Sequence, residues 1–423
     1  MGIPRASAFF KELEQRISEV TAVLAKQTST CGYPFYSSMD IRDADWKVCS
    51  VDVNIFPAGF NQLDAEDLKR AALRTLQFFS AKLGTPPPWE ICLVPEAHTN
   101  NAGYLENLAG LIGILQDAGA RVRLAWSGPP LPKAWTVKTA SGKELTYLPA
   151  AEALDGARAV ILNHDLSGGI PAFLKDSQLP TFPSPRLGWY RRRKSQHFAI
   201  VQSLLNKIQT ELPWFDPWYF HVAQRTVEGV DFESDEGRSR VAHEAEILLA
   251  QLKLDYAARE ITESPRLFVK NDAGTYGMGV LAVRTPSEIL DLGRSEKNKM
   301  RKGKESVPIS NIIIQEAIPT AMVYSNSTGT VAGEPVLYMV DGLPVGGFVR
   351  IHEKLGPDAA WANLNQPGGS LEAMSRFAGD CSSRRPFPKM RGLCPREEVE
   401  GKSVYYFLCK LHATAASLEE CIG

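Results

Sequence analysis

The sequence predicts a mixed α/β and α+β protein that opens with an N-terminal α/β domain over residues 1–185. Three observations lead there. Short apolar runs alternate with amphipathic helical stretches through the first part of the chain, the pattern of a mainly parallel sheet. Arg266 to Val283 then reads as strand, glycine turn, strand, and Glu334 to Ile351 as a hairpin about Asp341-Gly342. The chain has 423 residues, too many for one simple core, so two or three domains are expected.

Composition narrows the function classes. Hydrophobic residues make up 44% and charged residues 22%, as in a soluble globular protein. The net charge of −1 gives no support to a general nucleic-acid or membrane-surface role. No stretch of about 18 apolar residues occurs, so no bilayer span is expected. The seven cysteines, Cys31, Cys49, Cys92, Cys381, Cys394, Cys409 and Cys421, show no C-x-x-C spacing. Neither a zinc site nor a disulfide framework is expected, and a reducing cytoplasm is the expected location.

The elements follow in order. Met1 to Lys26 is an amphipathic helical pattern rather than a signal peptide, with Phe9, Phe10, Leu13, Ile17, Val20 and Leu24 on one face. Cys49 to Asn61 places Asp52, Asn54 and Asn61 around an apolar Pro-Gly turn. Asp64 caps a helix to Lys82, which Pro86-Pro87-Pro88 stops. Ile91 to Val94 is a buried strand, Tyr104 to Ala118 a helix ended by Gly119, and Arg121 to Ala125 and Ala159 to Leu162 two further strands. Ligands in such sheets collect at the carboxyl ends of strands. Glu96, Thr99 and Asn100 follow one of these ends. Together with Asp52, Asn54 and Asn61 they can grip an amino acid's ammonium and carboxylate groups, although Asp, Asn and Thr are also the residues that turns and helix caps prefer. Asn163-His164-Asp165 faintly resembles a kinase catalytic loop, but the Arg is absent and the order of elements is wrong, so it reads as a strand-end turn. None of the seven histidines has a spaced His or Cys partner.

A Pro-rich seam, Leu179 to Pro185, reads as a linker. The basic run Arg186 to Lys194 opens a helix to about Gln209 and is ample for phosphate contact; a solvated helix start or a nucleic-acid patch has the same composition. Gly237 to Leu254 is a helix, and Gly293 to Glu305 a charged, mobile loop. Within Arg266 to Val283, Lys270 stands at the mouth of the turn Gly274-Thr275-Tyr276-Gly277-Met278-Gly279. Glycines let backbone N–H groups approach a phosphate closely, and an ordinary hairpin has the same spacing. Asn311 to Pro319 is a buried strand carrying Gln315-Glu316, and Val323 to Gly333 is small and polar, hence a loop. Arg350 closes the second strand of the hairpin, and Asn363-Leu-Asn365 precedes a glycine pair. Lys402 onward is a helix with Leu408, Leu411, Ala415 and Leu418 inward.

The order of these pieces is more specific than any one of them. A strand lysine, a glycine loop, a strand ending in Gln-Glu, an acid-led hairpin ending in Arg and an Asn before a glycine pair resemble the ATP-grasp ligases, which clasp ATP between two α+β subdomains. FVKNDAGTYGMG, IIIQEAIP, EPVLYMVDG and NLNQPGGS, with GWYRRRKSQHF, VNIFPAGFN and PEAHTNNAGYLEN upstream, are similar to one bacterial family, the ATP-grasp-like glutamate–cysteine ligases. The resemblance runs from about residue 30 to 420 and implies an ATP-grasp-like pair of subdomains, 186–310 and 311–423, after the first domain. It implies that Lys194 and Lys270 hold nucleotide phosphates under a loop of Gly274, Thr275, Tyr276, Gly277 and Gly279. By the same resemblance Gln315 and Glu316 reach the adenine, Glu334 the ribose, and Arg350 and Asn363 the terminal phosphate and its Mg²⁺, with Asn365 sharing the metal. The implied reaction joins L-glutamate, through its γ-carboxylate, to L-cysteine with ATP.

Other readings remain open at this stage. A related carboxylate–amine ligase such as a glutathione synthetase-like enzyme shares the same parts. A non-catalytic nucleotide or nucleic-acid binder would rest on the Arg186–Lys194 run. No Walker A motif occurs, and the lysine precedes the glycine loop, the reverse of a protein kinase. The sequence sets no oligomeric state.

Overall fold

The computed structural model describes residues 2–274, 279–301, 309–320, 322–326, 329–352, 360–365, 369–374 and 403–422. Helices α1 (Gly2–Gln15) and α2 (Ile17–Ala25) open the chain and bury the expected face, Phe9, Phe10, Leu13, Ile17, Val20 and Leu24. Strands β1 (Tyr36–Asp43) and β2 (Val48–Asn54) follow as an antiparallel pair. Next come α3 (Ala65–Leu83), β3 (Trp89–Pro95), α4 (Ala102–Asp117) and β4 (Ala120–Ala125). The first part closes with β5 (Trp135–Lys138), β6 (Glu144–Leu148), α5 (Ala150–Leu154), β7 (Ala159–Asn163), α6 (Ala172–Lys175) and β8 (Thr181–Phe182).

Local chemistry explains the ends of these elements. Asp64 caps α3 by accepting from the N–H groups of Glu66 and Asp67 at 3.0 and 2.9 Å. Gly84, in the left-handed region at φ +65°, ends α3 before the prolines are reached. The six strands β3 to β8 form a sheet in the order β5-β6-β4-β3-β7-β8, parallel apart from the β5–β6 hairpin. The predicted parallel α/β unit is therefore present. The Pro-rich seam is not only a linker, because β8 within it pairs with β7.

The second sheet is antiparallel, in the order β11-β10-β12-β9. Its strands are β9 (Gln224–Val227), β10 (Arg266–Asn271), β11 (Val280–Val283) and β12 (Ile312–Ala317). Helices α7 (Lys194–Glu211), α8 (Asp235–Ala258), α9 (Ser287–Leu290) and α10 (Arg294–Arg301) belong to the same stretch. Two expectations change here. The helix expected from Arg186 begins at Lys194, after a short 3-10 turn at Pro185–Leu187. Part of the expected charged loop is α10, which one fully buried side chain, Met300, anchors.

The third sheet joins the two ends of the chain. Its order is β16-β15-β14-β1-β2, with β13 also on β14. The later strands are β13 (Met322–Asn326), β14 (Gly329–Val340), β15 (Leu343–Ile351) and β16 (Ser370–Ala373). The stretch expected to be a loop at 323–333 thus contributes a strand and the start of another. The turn at Asp341-Gly342 is as expected, both residues having positive φ. Strand pairing crosses both expected domain boundaries: β1 from the first segment pairs with β14, and β12 from the third pairs with β9 and β10 of the second.

Helix α11 (Val404–Ile422) closes the chain against α7 and α2, with Phe407, Leu408, Leu411 and Ala415 buried. A large apolar side chain buried this way is worth roughly 1.5–3 kcal/mol. This packing brings Cys421 to Cys31, and the two form a disulfide across 390 residues. The expectation that these cysteines form no disulfide is corrected here for Cys31 and Cys421. Spacing carried no signal because the partners meet only when the last helix docks. Cys49, Cys92 and Cys409 are buried thiols. Among the described residues, no helix is long and apolar enough to cross a membrane.

Candidate functional site

Two clefts open on one face of the third sheet. Strand alternation selects what lines them. On β10, Leu267 and Val269 enter the core, so Phe268 and Lys270 face the first cleft. On β1 and β2 the same period brings Arg42 and Asp52 to this cleft, and Glu334 reaches it from β14. Lys194, Gly274, Asn363 and Asn365 complete the polar lining. The cleft is narrow, about 70 Å³.

Charge is concentrated here. Lys194 is ion-paired with Asp52, and Lys270 Nζ donates to Gln315 Oε1 at 3.0 Å and to the Val51 carbonyl at 3.5 Å. Burial pushes Lys270 down to about 8, against the pull of Asp52 and with Lys194 and Arg42 adding to the shift. Burial would raise Asp52, but Lys194, Lys270 and Arg192 outweigh it and hold the carboxyl below its ordinary range. Lys194 is the first residue of α7, and Asp272 ties that helix start to the glycine turn. The Asp272 carbonyl accepts from Lys194 N at 2.8 Å, and its carboxylate accepts from Ser195 N at 2.8 Å and Ser195 Oγ at 2.6 Å. Gly274 and Gly279 flank the turn at φ +111° and +62°, and Asn271 N donates to Gly279 O at 3.1 Å. Thr275, Tyr276 and Gly277 lie outside the described residues.

The second cleft, about 310 Å³, is at the lower end of the range of small-molecule sites. Asn54 lines it from the end of β2, Gly59, Asn61 and Gln62 from the segment that follows, Glu96 from the end of β3, Asn101 and Tyr104 from the start of α4, and Asp165 from the turn after β7. Phe348 and Arg350 close it from β15. A buried amide network sets this wall. Asn163 Nδ2 donates to the Pro57 carbonyl at 2.8 Å, Asn107 Nδ2 donates to Asn163 Oδ1 at 3.1 Å, and Asn107 Oδ1 accepts from Gly59 N at 2.8 Å. Gly59 sits at φ +104°, and a Cβ there would lie 2.8 Å from the Tyr338 hydroxyl.

The clefts meet at one ion pair. Glu334 lines the first, Arg350 lines the second, and the two side chains are in direct contact; Asn365 lines both. Arg350 also reaches Asp40 at 3.0 Å, and Arg42 reaches Glu334 at 2.5 Å. Burial opposes the charge on Arg350, but Asp40 and Glu334 hold it protonated. Burial likewise pushes Asp40 up to about 6, with Glu334 and Asp52 raising it and Arg350 lowering it. Arg42 holds the approach to Asn363 by donating to the carbonyls of Ala360 and Ala362 at 3.3 and 2.9 Å.

The expected site residues thus divide into several groups. Lys194, Lys270, Gly274, Glu334, Asn363 and Asn365 come together in the first cleft, and Asp52 joins them rather than the second cleft. Asn54, Asn61, Glu96 and Arg350 share the second. Thr99 and Asn100 do not line it; their neighbour Asn101 does, as the cap of α4. Gln315 touches Lys270, but Glu316 faces away, because neighbouring strand residues point to opposite faces. Its carboxylate is buried against Lys47 Nζ at 2.7 Å, Tyr256 Oη at 3.0 Å and Ala223 N at 3.2 Å. The basic run is no single patch: Lys194 pairs with Asp52, while buried Arg192 pairs with Glu419 at 3.0 Å and donates to the Val53 carbonyl at 2.7 Å.

Sequence reading missed Asp40, Arg42 and Asn107, and it read Asn163 and Asp165 only as a strand-end turn. A signal existed for some of them: Asp-x-Arg at 40–42 has strand period, and Asp165 follows a strand end. Among the described residues no three His, Cys, Asp or Glu side chains converge as a metal site. Mg²⁺ needs only one or two protein oxygens beside phosphates and water, and Glu334, Asn363 and Asn365 offer hard oxygens in one cleft, so the donor set fits it.

Residues 11–420 match the family model for glutamate–cysteine ligase. The fold is similar to the crystal structure of a protein from Methylobacillus flagellatus KT assigned as a gamma-glutamylcysteine synthetase. The two share 29% identity and a TM-score of 0.80, over 97% of this chain and 95% of the other. No curated protein matches the sequence.

Proposed function

The chain belongs to the glutamate–cysteine ligase family and is a ligase that joins glutamate to cysteine, the first step of glutathione biosynthesis; we propose that it does so with ATP, across the two joined clefts. The observation that carries this reading is the contact between Glu334 of the lysine-lined cleft and Arg350 of the amide-lined cleft. A phosphate on one side and a carboxylate on the other would meet there.

ATP takes the first cleft, with Lys194 and Lys270 on its phosphates and the 274–279 turn over them. Its entry parts the Lys194–Asp52 contact. Glutamate takes the second, among Asn54, Asn61 and Glu96, with its γ-carboxylate at Arg350. An oxygen of that carboxylate attacks the terminal phosphorus, the bond to the bridging oxygen breaks, and ADP leaves. A carboxylate is a poor electrophile, and the acyl phosphate so formed is a good one. The cysteine amine then attacks its carbonyl carbon, the carbon–oxygen bond to phosphate breaks, and the amine proton passes to phosphate or solvent. No covalent enzyme intermediate is needed, so positioning and charge neutralisation carry the rate. Glu334, Asn363 and Asn365 would hold Mg²⁺, which when bound supplies charge to the phosphates. Water must be kept from the acyl phosphate, the task of the turn. We place the enzyme in the cytoplasm, where ATP and both amino acids are at hand.

The test is to incubate the protein with ATP, Mg²⁺, glutamate and cysteine, omit each in turn, and identify the peptide by mass. The expected result is γ-glutamylcysteine, with phosphate and ADP, only in the complete mixture. ADP release without peptide, or peptide formation without ATP, overturns the proposal.

A further inference from the structure

The second cleft contains an acid that the mechanism above does not use. Asp165 is 2% exposed, and Glu96, which lines the cleft beside it, is 6% exposed. Asp165 N donates to Glu96 Oε1 at 3.4 Å, so the two residues adjoin. The fold explains why both stand there. The chain leaves β3 through α4 to reach β4 on one side, then returns through α5 to β7 on the other side of β3. The crossover direction reverses between β3 and β7, which is where open parallel sheets take their ligands. Glu96 follows β3 directly, and Asp165 lies two residues beyond β7.

The chemistry at this point favours a cation with N–H donors. Ionised carboxylates accept hydrogen bonds only, and two acidic residues that adjoin in a buried wall are stabilised by positive charge. His98 Nε2, half-exposed, lies 2.6 Å from Glu96 Oε2, and Ser167 N donates to Asp165 Oδ1 at 3.0 Å. An independent observation comes from the sheet side of the cleft. Asn54 lines it, and its side-chain oxygen is buried with no hydrogen-bond partner among the described residues. A buried acceptor of this kind requires a donor from the occupant.

Two amino acids react here, and only one suits this seat. Cysteine's amine is the nucleophile and must be unprotonated, whereas a pair of carboxylates holds an ammonium. Glutamate's amine does not react. Its ammonium adjoins the α-carboxylate, while the γ-carboxylate lies two methylenes away. With the ammonium held at the strand ends, the γ-carboxylate, two methylenes farther on, is the one that extends toward Arg350, which closes the cleft from β15.

We propose that Glu96 and Asp165 together seat the ammonium of glutamate and thereby select the γ-carboxylate for activation. The inference rests on the ligase reading above and adds Asp165 and the choice of carboxylate to it.

The test compares glutamate with glutarate, the same dicarboxylate without the ammonium, in the full-length wild type, Asp165→Asn and Glu96→Gln. The readout is the ratio of kcat/KM for the two substrates, with ATP and cysteine saturating. Calorimetric binding of each dicarboxylate reads the same ratio without turnover. In each variant the ratio should fall by about ten- to hundredfold, the worth of one charge-assisted contact. Loss of activity through misfolding lowers both substrates together and leaves the ratio unchanged, so an unchanged ratio in both variants overturns the proposal. If the wild type binds both dicarboxylates but makes no peptide, the ligase reading falls, and the calorimetric ratio still decides this one.

Discussion

Replacing Lys270 by Met removes one positive charge from the first cleft and keeps most of the side chain's volume. Lys270 is held by two neutral oxygens, Gln315 Oε1 and the Val51 carbonyl, and by the field of Asp52. Charge placed where a transition state becomes negative is typically worth about 2.7–4 kcal/mol, or a factor of 10² to 10³ in turnover. The expected loss of ADP release is of that size. Stability should move the other way. The folded-state value of about 8 lies below the unfolded lysine value, so charged Lys270 disfavours folding. That penalty, at most roughly 3 kcal/mol, is fully present below pH 8 and fades as pH rises toward the unfolded value. At pH 7 the Met variant should therefore melt no lower than the wild type. In the wild type, phosphate binding favours the charged form, so above about pH 8 binding takes up a proton and kcat/KM for ATP falls; the Met variant should lack this limb. The assay is coupled ADP release from about pH 6.5 to 9.5, with melting curves alongside. A Met variant that releases ADP at nearly the wild-type rate refutes the assignment.

The remaining expectations concern the supports of the site. Glu316→Ala leaves Lys47 buried without its partner and should cost about 3–5 kcal/mol of stability, read by urea titration, while the KM for ATP of the folded fraction stays unchanged. A raised KM with stability intact would return Glu316 to the adenine site. Gly59→Ala forces a side chain onto φ +104° and against the Tyr338 hydroxyl, so the KM for glutamate should rise severalfold while that for ATP holds; equal changes in both would contradict the separation of the clefts. Dithiothreitol should expose two further thiols, those of Cys31 and Cys421, to labelling in the native protein and lower stability by about 2–4 kcal/mol. Full labelling before reduction would show that the pair is not joined.

Local pattern determined much of this protein by itself. The face of α1 and α2, the Asp64 cap, the strand at Lys270, the Asp341-Gly342 turn and the inward face of α11 follow from periodicity and turn chemistry, which act over a few residues. The order of lysine, glycine turn, hairpin and Asn pair was enough to point to the ligase family. Tertiary structure alone decided which of these residues share a cleft. Asp52 shares a cleft with Glu334 because β2 pairs through β1 with β14, a partner nearly three hundred residues on. Glu316 turned into the core because neighbouring strand residues face opposite ways, and the sequence does not say which face is wet. Asp165 reached the second cleft because the sheet reverses its winding beside β3, and Cys421 found Cys31 only when the last helix docked. The common reason is range: caps, turns and periods depend on neighbours along the chain, whereas the composition of a cleft depends on strand pairings that link distant segments.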